Sequence, residues 1–245
     1  MKKDKLVLIS IILWAMIGLA MIGCNPENAD SENVSSEGTA LVCFGDSLTA
    51  GYGATVPGED DPEQSYPAYL QEMVSMPVVN AGVSGDTTGE ALARIKGDVL
   101  DKNPRIVIIE LGANDLFQAV SPATTKKNLQ RIISELNDGK RKLYLAKFYT
   151  GEVAQDMMAD FGITSSYAQS ALIAQYDAIF NALASDRVEL IEDIWTGVWR
   201  QYMSDEAHPN AQGYKIMAET YFKALKPYLE ANNLAKALRN SDAVL

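Results

Sequence analysis

Residues 40–53 read ALVCFGDSLTAGYG, and this stretch determines the class of fold that the rest of the chain must complete. The run from Ala40 to Phe44 is too short and too apolar for a surface helix, so it predicts a strand buried on both faces. The glycine-flanked turn that follows carries Ser47 at the carboxyl end of this strand, where open α/β sheets bind their ligands. Taken alone, a serine in such a turn is more often structural than nucleophilic.

The same alternation of short apolar runs with longer segments of helical period continues along the chain. It predicts an α/β domain with a mainly parallel sheet. Two helices have clear start signals, which are Ser121 before a proline and a capping box between Thr87 and Glu90. The last helix is expected to end at Pro227. The predicted strands are Ala40 to Phe44, Val78 to Asn80, Ile106 to Leu111, Lys142 to Phe148 and Val188 to Ile191.

Polar groups that could carry chemistry follow three more of these strands. Gly85 comes after the second strand, where backbone amides beside a helix start are unsatisfied and can hold an oxyanion. Asn114 comes after the third strand and offers a carboxamide as a further donor. Asp205 and His208, the only histidine, follow the fifth strand, and a carboxylate three residues before a histidine can fix its tautomer. Each residue alone has an ordinary structural explanation, but together with Ser47 they predict a nucleophile, its base and oxyanion donors at one edge.

In their order along the chain, the motifs GDSLTAGYG, NAGVSGDTT, ELGAND and DxxH resemble the SGNH/GDSL hydrolase family. The resemblance extends from Leu41 to about Leu225 and is strongest to a bacterial branch of thioesterase/lysophospholipase and arylesterase enzymes. It implies a three-layer, flavodoxin-like α/β fold with a five-stranded, mainly parallel sheet, and ester hydrolysis without metal or cofactor. Around residues 148–151 the chain departs from this branch, which leaves the choice of substrate open. The resemblance implies Ser47, Asp205 and His208 as catalytic residues, and Ser47, Gly85 and Asn114 as the oxyanion hole.

Three other classes of protein share parts of this pattern. An α/β-hydrolase also orders its triad as serine, acid and histidine, but its nucleophile elbow needs a second glycine where this chain has Thr49. An acyl transferase or a carbohydrate acetylesterase acting on cell-envelope glycans would use the same acyl-enzyme. A binding lipoprotein without activity is disfavoured because all four motifs are intact. The pattern favours a serine ester hydrolase of the esterase or lipase type, with lysophospholipids and thioesters among its candidate substrates.

The first residues predict export. Three lysines precede an apolar run that reaches Gly23, and the sequence before Cys24 resembles a lipobox whose cysteine would receive a lipid. An uncleaved signal anchor is the alternative, because the run approaches the ~20 apolar residues of a membrane helix. Both alternatives predict a membrane-anchored domain that faces the periplasm or the cell exterior. The predicted divisions are a lipoprotein leader at 1–23, a flexible linker at 24–38, the hydrolase domain at 39–232 and a C-terminal tail at 233–245.

The net charge of the chain limits the binding partners and substrates that we expect. The formal net charge is −11, and removal of a leader with three lysines and one aspartate lowers it to −13. This leaves no basic face for a nucleic acid and disfavours polyanionic acyl-CoA, so a neutral small-molecule or lipid ester is the expected substrate. The sequence leaves the oligomeric state open. Five apolar side chains are candidates for an acyl groove unless they are core residues, namely Leu116, Phe117, Met157, Met158 and Phe161.

Overall fold

The centre of the fold is a five-stranded sheet whose neighbouring strands are all parallel. The computed structural model describes residues 38–148, 151–160, 162–192 and 194–236. The strand order β2-β1-β3-β4-β5 is that of flavodoxin-like sheets, which confirms the predicted fold class. The strands are β1 (Ala40–Gly45), β2 (Val78–Gly82), β3 (Pro104–Glu110), β4 (Lys142–Ala146) and β5 (Val188–Ile191).

The register of β2, β1 and β3 brings the carboxyl ends of these three strands to one level. Gly45, the last residue of β1, lies opposite Gly82 of β2 and opposite Glu110 of β3. Because the strands are parallel, the turns that follow them begin side by side at the same edge of the sheet. This register gathers three segments that are distant in sequence but carry predicted site residues.

In the described ranges, eight α-helices flank the sheet, and short 3₁₀ helices span Pro62–Gln64 and Leu100–Lys102. Among the helices, α2 packs against α8, whereas α3 and α7 pack against α5. β1 is buried along its whole length, as its continuous apolar sequence predicts. The α-helices are α1 (Ser47–Ala50), α2 (Tyr66–Met73), α3 (Thr88–Asp98), α4 (Ala113–Phe117), α5 (Pro122–Leu136), α6 (Gly151–Asp160), α7 (Ser166–Leu183) and α8 (Ala211–Ala231).

Both predicted helix starts are confirmed. The Thr87 hydroxyl accepts a hydrogen bond from the Glu90 amide at 3.4 Å, and the Glu90 carboxylate accepts one from the Thr87 amide at 2.9 Å. This reciprocal capping box begins α3. The Ser121 hydroxyl caps α5 by accepting from the Thr124 amide at 3.2 Å.

The prediction that the last helix ends at Pro227 is wrong. α8 continues through the proline to Ala231. An internal proline removes one helical hydrogen bond and costs about 3 kcal/mol. Contacts beyond it offset this loss, because Leu229 is completely buried and Arg105 donates hydrogen bonds to Tyr228 at 3.2 Å and to Asn232 at 2.6 Å.

The described chain continues past α8 along the end of α2. The Ser75 amide donates to the Leu234 carbonyl at 2.9 Å, and the Lys236 amide donates to the Met73 carbonyl at 2.9 Å. The predicted leader and its cysteine, and residues 237–245 of the predicted tail, lie outside the described residues. Among the helices that are described, none has the length and apolarity needed to cross a membrane.

Cys43 lies inside β1 and is completely buried. Burial raises the pKa of its thiol far above the usual value, and a weak hydrogen bond with Tyr66 only partly opposes this effect. Cys43 is therefore a small, unreactive core residue, as the apolar sequence around it predicts.

Candidate active site

The turn after β1 presents Ser47 as the first residue of the one-turn helix α1. The Asp46 side chain caps this helix by accepting from the Leu48 amide at 3.2 Å. A Cβ atom at Gly45 would lie 2.0 Å from the Thr49 hydroxyl and 2.7 Å from the Glu110 carbonyl oxygen, so only glycine fits there. The glycine at the end of β1 therefore lets the chain turn tightly between the strand and the serine.

Ser47, His208 and Asp205 form one continuous hydrogen-bonded line. Ser47 Oγ lies 3.0 Å from His208 Nε2, and His208 Nδ1 lies 2.9 Å from both carboxylate oxygens of Asp205. In this arrangement Nδ1–H donates to the carboxylate, which leaves Nε2 free to accept the serine hydroxyl proton.

Asp205 is held as a carboxylate by several donors. Burial alone would raise its pKa, but hydrogen bonds from the Ala207 amide and from the ring and amide of His208 outweigh burial and lower the pKa. Both amides donate to Oδ1 at 2.8 Å. Asp205 therefore stays negatively charged beside the imidazole throughout the neutral pH range.

The loop that carries the histidine is fixed from two directions. Within the loop, the Ser204 amide donates to the His208 carbonyl at 2.7 Å. From outside it, the Tyr52 ring packs against the imidazole with centroids 4.5 Å apart, and Tyr214 donates to the Tyr52 carbonyl at 2.8 Å. Sequence reasoning did not assign Tyr52 a role, although it lies within the GDSLTAGYG motif.

Gly85 lies in the loop after β2, at the same edge as Ser47. Its φ of +86° is favourable only for glycine among ordinary residues. The Val83 amide donates to the Gly45 carbonyl at 3.1 Å, which ties this loop to the end of β1. Gln118 Nε2 donates to the Gly85 carbonyl at 2.9 Å and so fixes the peptide on one side.

Asn114 lies in the first turn of α4, directly after β3. Its Nδ2 donates to Asp46 Oδ2 at 3.2 Å, so the structure brings Asn114 to the turn that holds Ser47. The next residue, Asp115, is buried and accepts from the Thr88 amide at 2.7 Å and from the Thr125 hydroxyl at 3.0 Å. Asp115 thereby joins α4 to the starts of α3 and α5.

Two further residues near the site were not predicted from the sequence. Arg94 donates to the carbonyls of Gly45 and Ala81 at 2.9 Å each and pairs with Asp86 at 2.6 Å. It therefore clamps the carboxyl ends of β1 and β2. Glu110 ends β3 completely buried, and the only sequence signal for it is a lone carboxyl group at the end of an apolar strand.

A cavity of about 390 Å³ lies beside Asp205. Among the described residues, four carboxylates and one cation, Arg200, line it, and Arg200 is paired with Asp156. The cavity is therefore acidic. Its lining residues are Asp156, Ala159, Asp160, Trp199, Arg200, Met203, Asp205 and Glu206.

The predicted acyl groove is only partly described. The prediction is wrong for Met158, which is completely buried in the hydrophobic core and cannot contact a substrate. Leu116 is partly buried and packs against that core. Phe161 and the side chain of Met157 lie outside the described part of the chain.

Comparison with known proteins gives consistent matches. A model of the GDSL-like Lipase/Acylhydrolase family matches residues 43–216, a range that contains all five predicted catalytic and oxyanion-hole residues. Thioesterase 1/protease 1/lysophospholipase L1 of Escherichia coli strain K12 is 28% identical over 193 residues, covering 76% of this chain and 83% of that protein. The crystal structure of AlinE4, an SGNH-hydrolase family esterase, matches with a TM-score of 0.53 and 31% identity, covering 80% of this chain and 97% of AlinE4. The uncharacterized lipoprotein YqeF of Bacillus subtilis is 37% identical over 107 residues, covering 42% of this chain and 43% of YqeF.

Proposed function

The chain belongs to the GDSL-like lipase/acylhydrolase family and is a carboxylic ester hydrolase, and we propose that Ser47 is its nucleophile. In this proposal His208 is the general base and Asp205 orients it. The observation that carries the proposal is the line of hydrogen bonds of 3.0 Å and 2.9 Å that joins the three side chains. Acyl transfer through a serine requires a nucleophile that is hydrogen-bonded to a base, and a carboxylate that orients the base. The three side chains are arranged in this order.

Acylation would proceed by attack of Ser47 Oγ on the ester carbonyl carbon. The hydroxyl proton passes to His208 Nε2, and the carboxylate of Asp205 stabilises the imidazolium that forms. The carbonyl π electrons move onto oxygen, and the resulting oxyanion accepts hydrogen bonds from the amides of Ser47 and Gly85 and from Asn114. Collapse of this intermediate breaks the bond to the leaving alcohol, which takes the proton from the imidazolium.

Deacylation would repeat these steps with water as the nucleophile. His208 removes a proton from the water as it attacks the acyl carbonyl, and the same donors hold the second oxyanion. When the acyl bond to Ser47 breaks, the serine oxygen regains its proton from His208 and the carboxylic acid leaves.

For the substrate we propose a neutral or lipid-borne ester rather than a polyanionic one. The support is electrostatic, because the chain carries a formal charge of −11 and four of the eight described residues that line the cavity beside Asp205 carry carboxylates. Like charges at a site lower both the encounter rate and the affinity for an anionic substrate. The Escherichia coli relative is named a thioesterase, and that activity is a property of that protein.

We further propose that Cys24 is lipidated and anchors the exported domain to a membrane. The support is the charged start, the apolar run up to Gly23 and the lipobox-like sequence before the cysteine. The similarity to a Bacillus subtilis lipoprotein is consistent with this anchor.

A fluorophosphonate probe tests the proposed nucleophile, because it reacts covalently with an activated serine. Wild-type protein should be labelled, and Ser47→Ala should lose both labelling and esterase activity while its thermal unfolding is unchanged. Losing a member of the triad leaves only the ~10³ to 10⁴-fold residual catalysis of binding and the oxyanion hole. Ser170→Ala, on an exposed position of α7, is the matched control and should behave like wild type. If labelling persists in Ser47→Ala, then the reactive serine is a different residue and the proposed nucleophile is wrong.

A further inference from the structure

Two carboxyl side chains lie in contact beneath the turn that carries Ser47. Asp46 is 1% exposed and Glu110 is 0% exposed, and the two carboxyl groups lie within hydrogen-bonding contact. The sheet register explains this contact, because Gly45, the residue before Asp46, lies opposite Glu110. Two buried carboxyl groups in contact are not both ionised at neutral pH, so the pair keeps at least one proton.

The hydrogen-bond donors around the pair indicate which group keeps the proton. Asp46 accepts from the Leu48 amide and from Asn114 Nδ2, both at 3.2 Å. Glu110 accepts only from the Thr49 hydroxyl, at 3.4 Å, and its Oε1 has no hydrogen-bond partner. Because donors stabilise the ionised form, the negative charge belongs on Asp46 and the proton on Glu110.

The surroundings supply no compensating positive charge. In the residues that the structure describes, no lysine, arginine or histidine forms an ion pair with either carboxyl group. Burial raises the pKa of Asp46 to about 7, although hydrogen bonds from Leu48 and Asn114 oppose this effect. Burial raises the pKa of Glu110 well above its ordinary value, and the nearby Asp46 raises it further. Asp86 is the other nearby carboxylate, and it pairs with Arg94 at 2.6 Å. The remaining titratable side chains that face the pair are all neutral at pH 7, namely Cys43 of β1, Tyr66 of α2, and Tyr214 and Tyr221 of α8.

We propose that Glu110 is a positioning residue, whose protonated carboxyl donates a hydrogen bond to Asp46 and stabilises the Asp46 anion that orients the Asn114 carboxamide. Asp46 engages one N–H of Asn114, which aims the other at the developing oxyanion. This inference rests on the proposed function, because it requires Asn114 to act as an oxyanion donor. The proton on Glu110 itself can be measured without any substrate.

The first experiment measures that proton through stability. Unfolded glutamate loses its proton above about pH 4.3, whereas folded Glu110 keeps it. The stability that Glu110 contributes below this pH is therefore lost as the pH rises toward its raised folded pKa. The variant Glu110→Gln has no proton to lose. From about pH 5 upward, the ratio of the wild-type to the Glu110→Gln unfolding constant should rise about tenfold per pH unit. A ratio that is flat between about pH 5 and 8 would overturn the shared proton.

The second experiment measures the positioning role through kinetics. Glu110→Gln keeps a donor toward Asp46 and should retain kcat within about threefold, since glutamine is isosteric with the protonated acid. Glu110→Met keeps the volume but removes the donor, and should lower kcat about tenfold or more with little change in KM. Asp46→Asn should also lower kcat, because it removes the anion. The inference fails if Glu110→Gln loses as much activity as Glu110→Met, or if Asp46→Asn keeps full activity.

A double variant separates this inference from the proposed function. If Glu110 acts through Asn114, then Glu110→Met should have little further effect on kcat in the Asn114→Ala background. An equal effect in both backgrounds would place its action elsewhere and overturn the positioning role. An Asn114→Ala variant with full activity would instead contradict the proposed oxyanion hole, and the pH dependence of stability would still report the proton on Glu110.

Discussion

The carboxamide nitrogen of Asn114 lies 3.2 Å from Oδ2 of Asp46, so one of its two N–H groups is engaged before any substrate binds. The other N–H can donate to an oxyanion, which needs this bond mainly in the transition state. Asn114→Ala should therefore lower kcat by about 10² to 10³-fold with little change in KM in steady-state ester hydrolysis. Asn181→Ala, on an exposed position of α7, is the control. A raised KM with unchanged kcat would make Asn114 a substrate-binding residue instead.

The pH dependence of activity should report the state of the base. A protonated imidazole cannot accept the serine proton, and the lowered pKa of Asp205 keeps that carboxylate charged throughout this range. We expect kcat/KM to fall as the pH is lowered from about 8 to about 5, because acid protonates the base. A flat profile over that interval would contradict His208 as the base.

Replacing the orienting carboxylate should cost activity without removing the base. Asp205→Asn leaves a hydrogen-bonding side chain but lets the imidazole adopt the wrong tautomer, and we expect kcat to fall by up to about 10⁴-fold. Glu206→Gln is the matched control, because it removes the neighbouring exposed carboxylate and should leave kcat nearly unchanged. Equal losses in the two variants would indicate a general effect of charge rather than orientation of His208.

The acidic cavity beside Asp205 predicts discrimination by charge. We expect kcat/KM for mono-p-nitrophenyl succinate to be lower than for p-nitrophenyl butyrate, which has the same acyl length without the carboxylate. Because salt screens charges over about 8 Å at physiological ionic strength, the difference should shrink as sodium chloride is added. Asp160→Asn, in the lining of the cavity, should reduce the difference further. Equal rates for both esters at low salt would show that this charge does not affect substrate choice.

Cys24→Ser tests the proposed anchor, since serine cannot carry a thioether-linked lipid. The wild-type chain should incorporate labelled palmitate and sediment with membranes, and the variant should do neither. If the variant stays in the membrane fraction with its first residues intact, the apolar run acts as a signal anchor instead.

Much of the site could be predicted from the sequence because its residues occur in local motifs after apolar strands. Gly85 and the pair Asp205 and His208 are recognisable in this way, and the structure brings these segments to one edge of the sheet. The roles inferred for Arg94 and Glu110 could not be predicted, because their contacts depend on which strands are neighbours and in what register.

The errors have equally specific causes. Pro227 disrupts a helix locally, but the burial of Leu229 and the hydrogen bonds from Arg105 stabilise the turn beyond it. Met158 carries the same apolar signal whether it lines a groove or packs in the core, and only the packing of α6 distinguishes the two. Local sequence therefore predicts elements more reliably than it predicts which of their faces is covered.

Because Cys43 is buried within β1, the rate at which its thiol is alkylated reports how often the core of this protein opens. The thiol is completely buried and hydrogen-bonded to Tyr66 of α2, so an alkylating reagent can reach it only after the core between β1 and α2 opens. The chain has two cysteines, and in the Cys24→Ser variant Cys43 is the single remaining thiol. When closing is faster than alkylation, the rate of modification reports the fraction of molecules that are open. The same strand ends in the turn that carries Ser47, so this rate reports on the stability of the structure that supports the nucleophile.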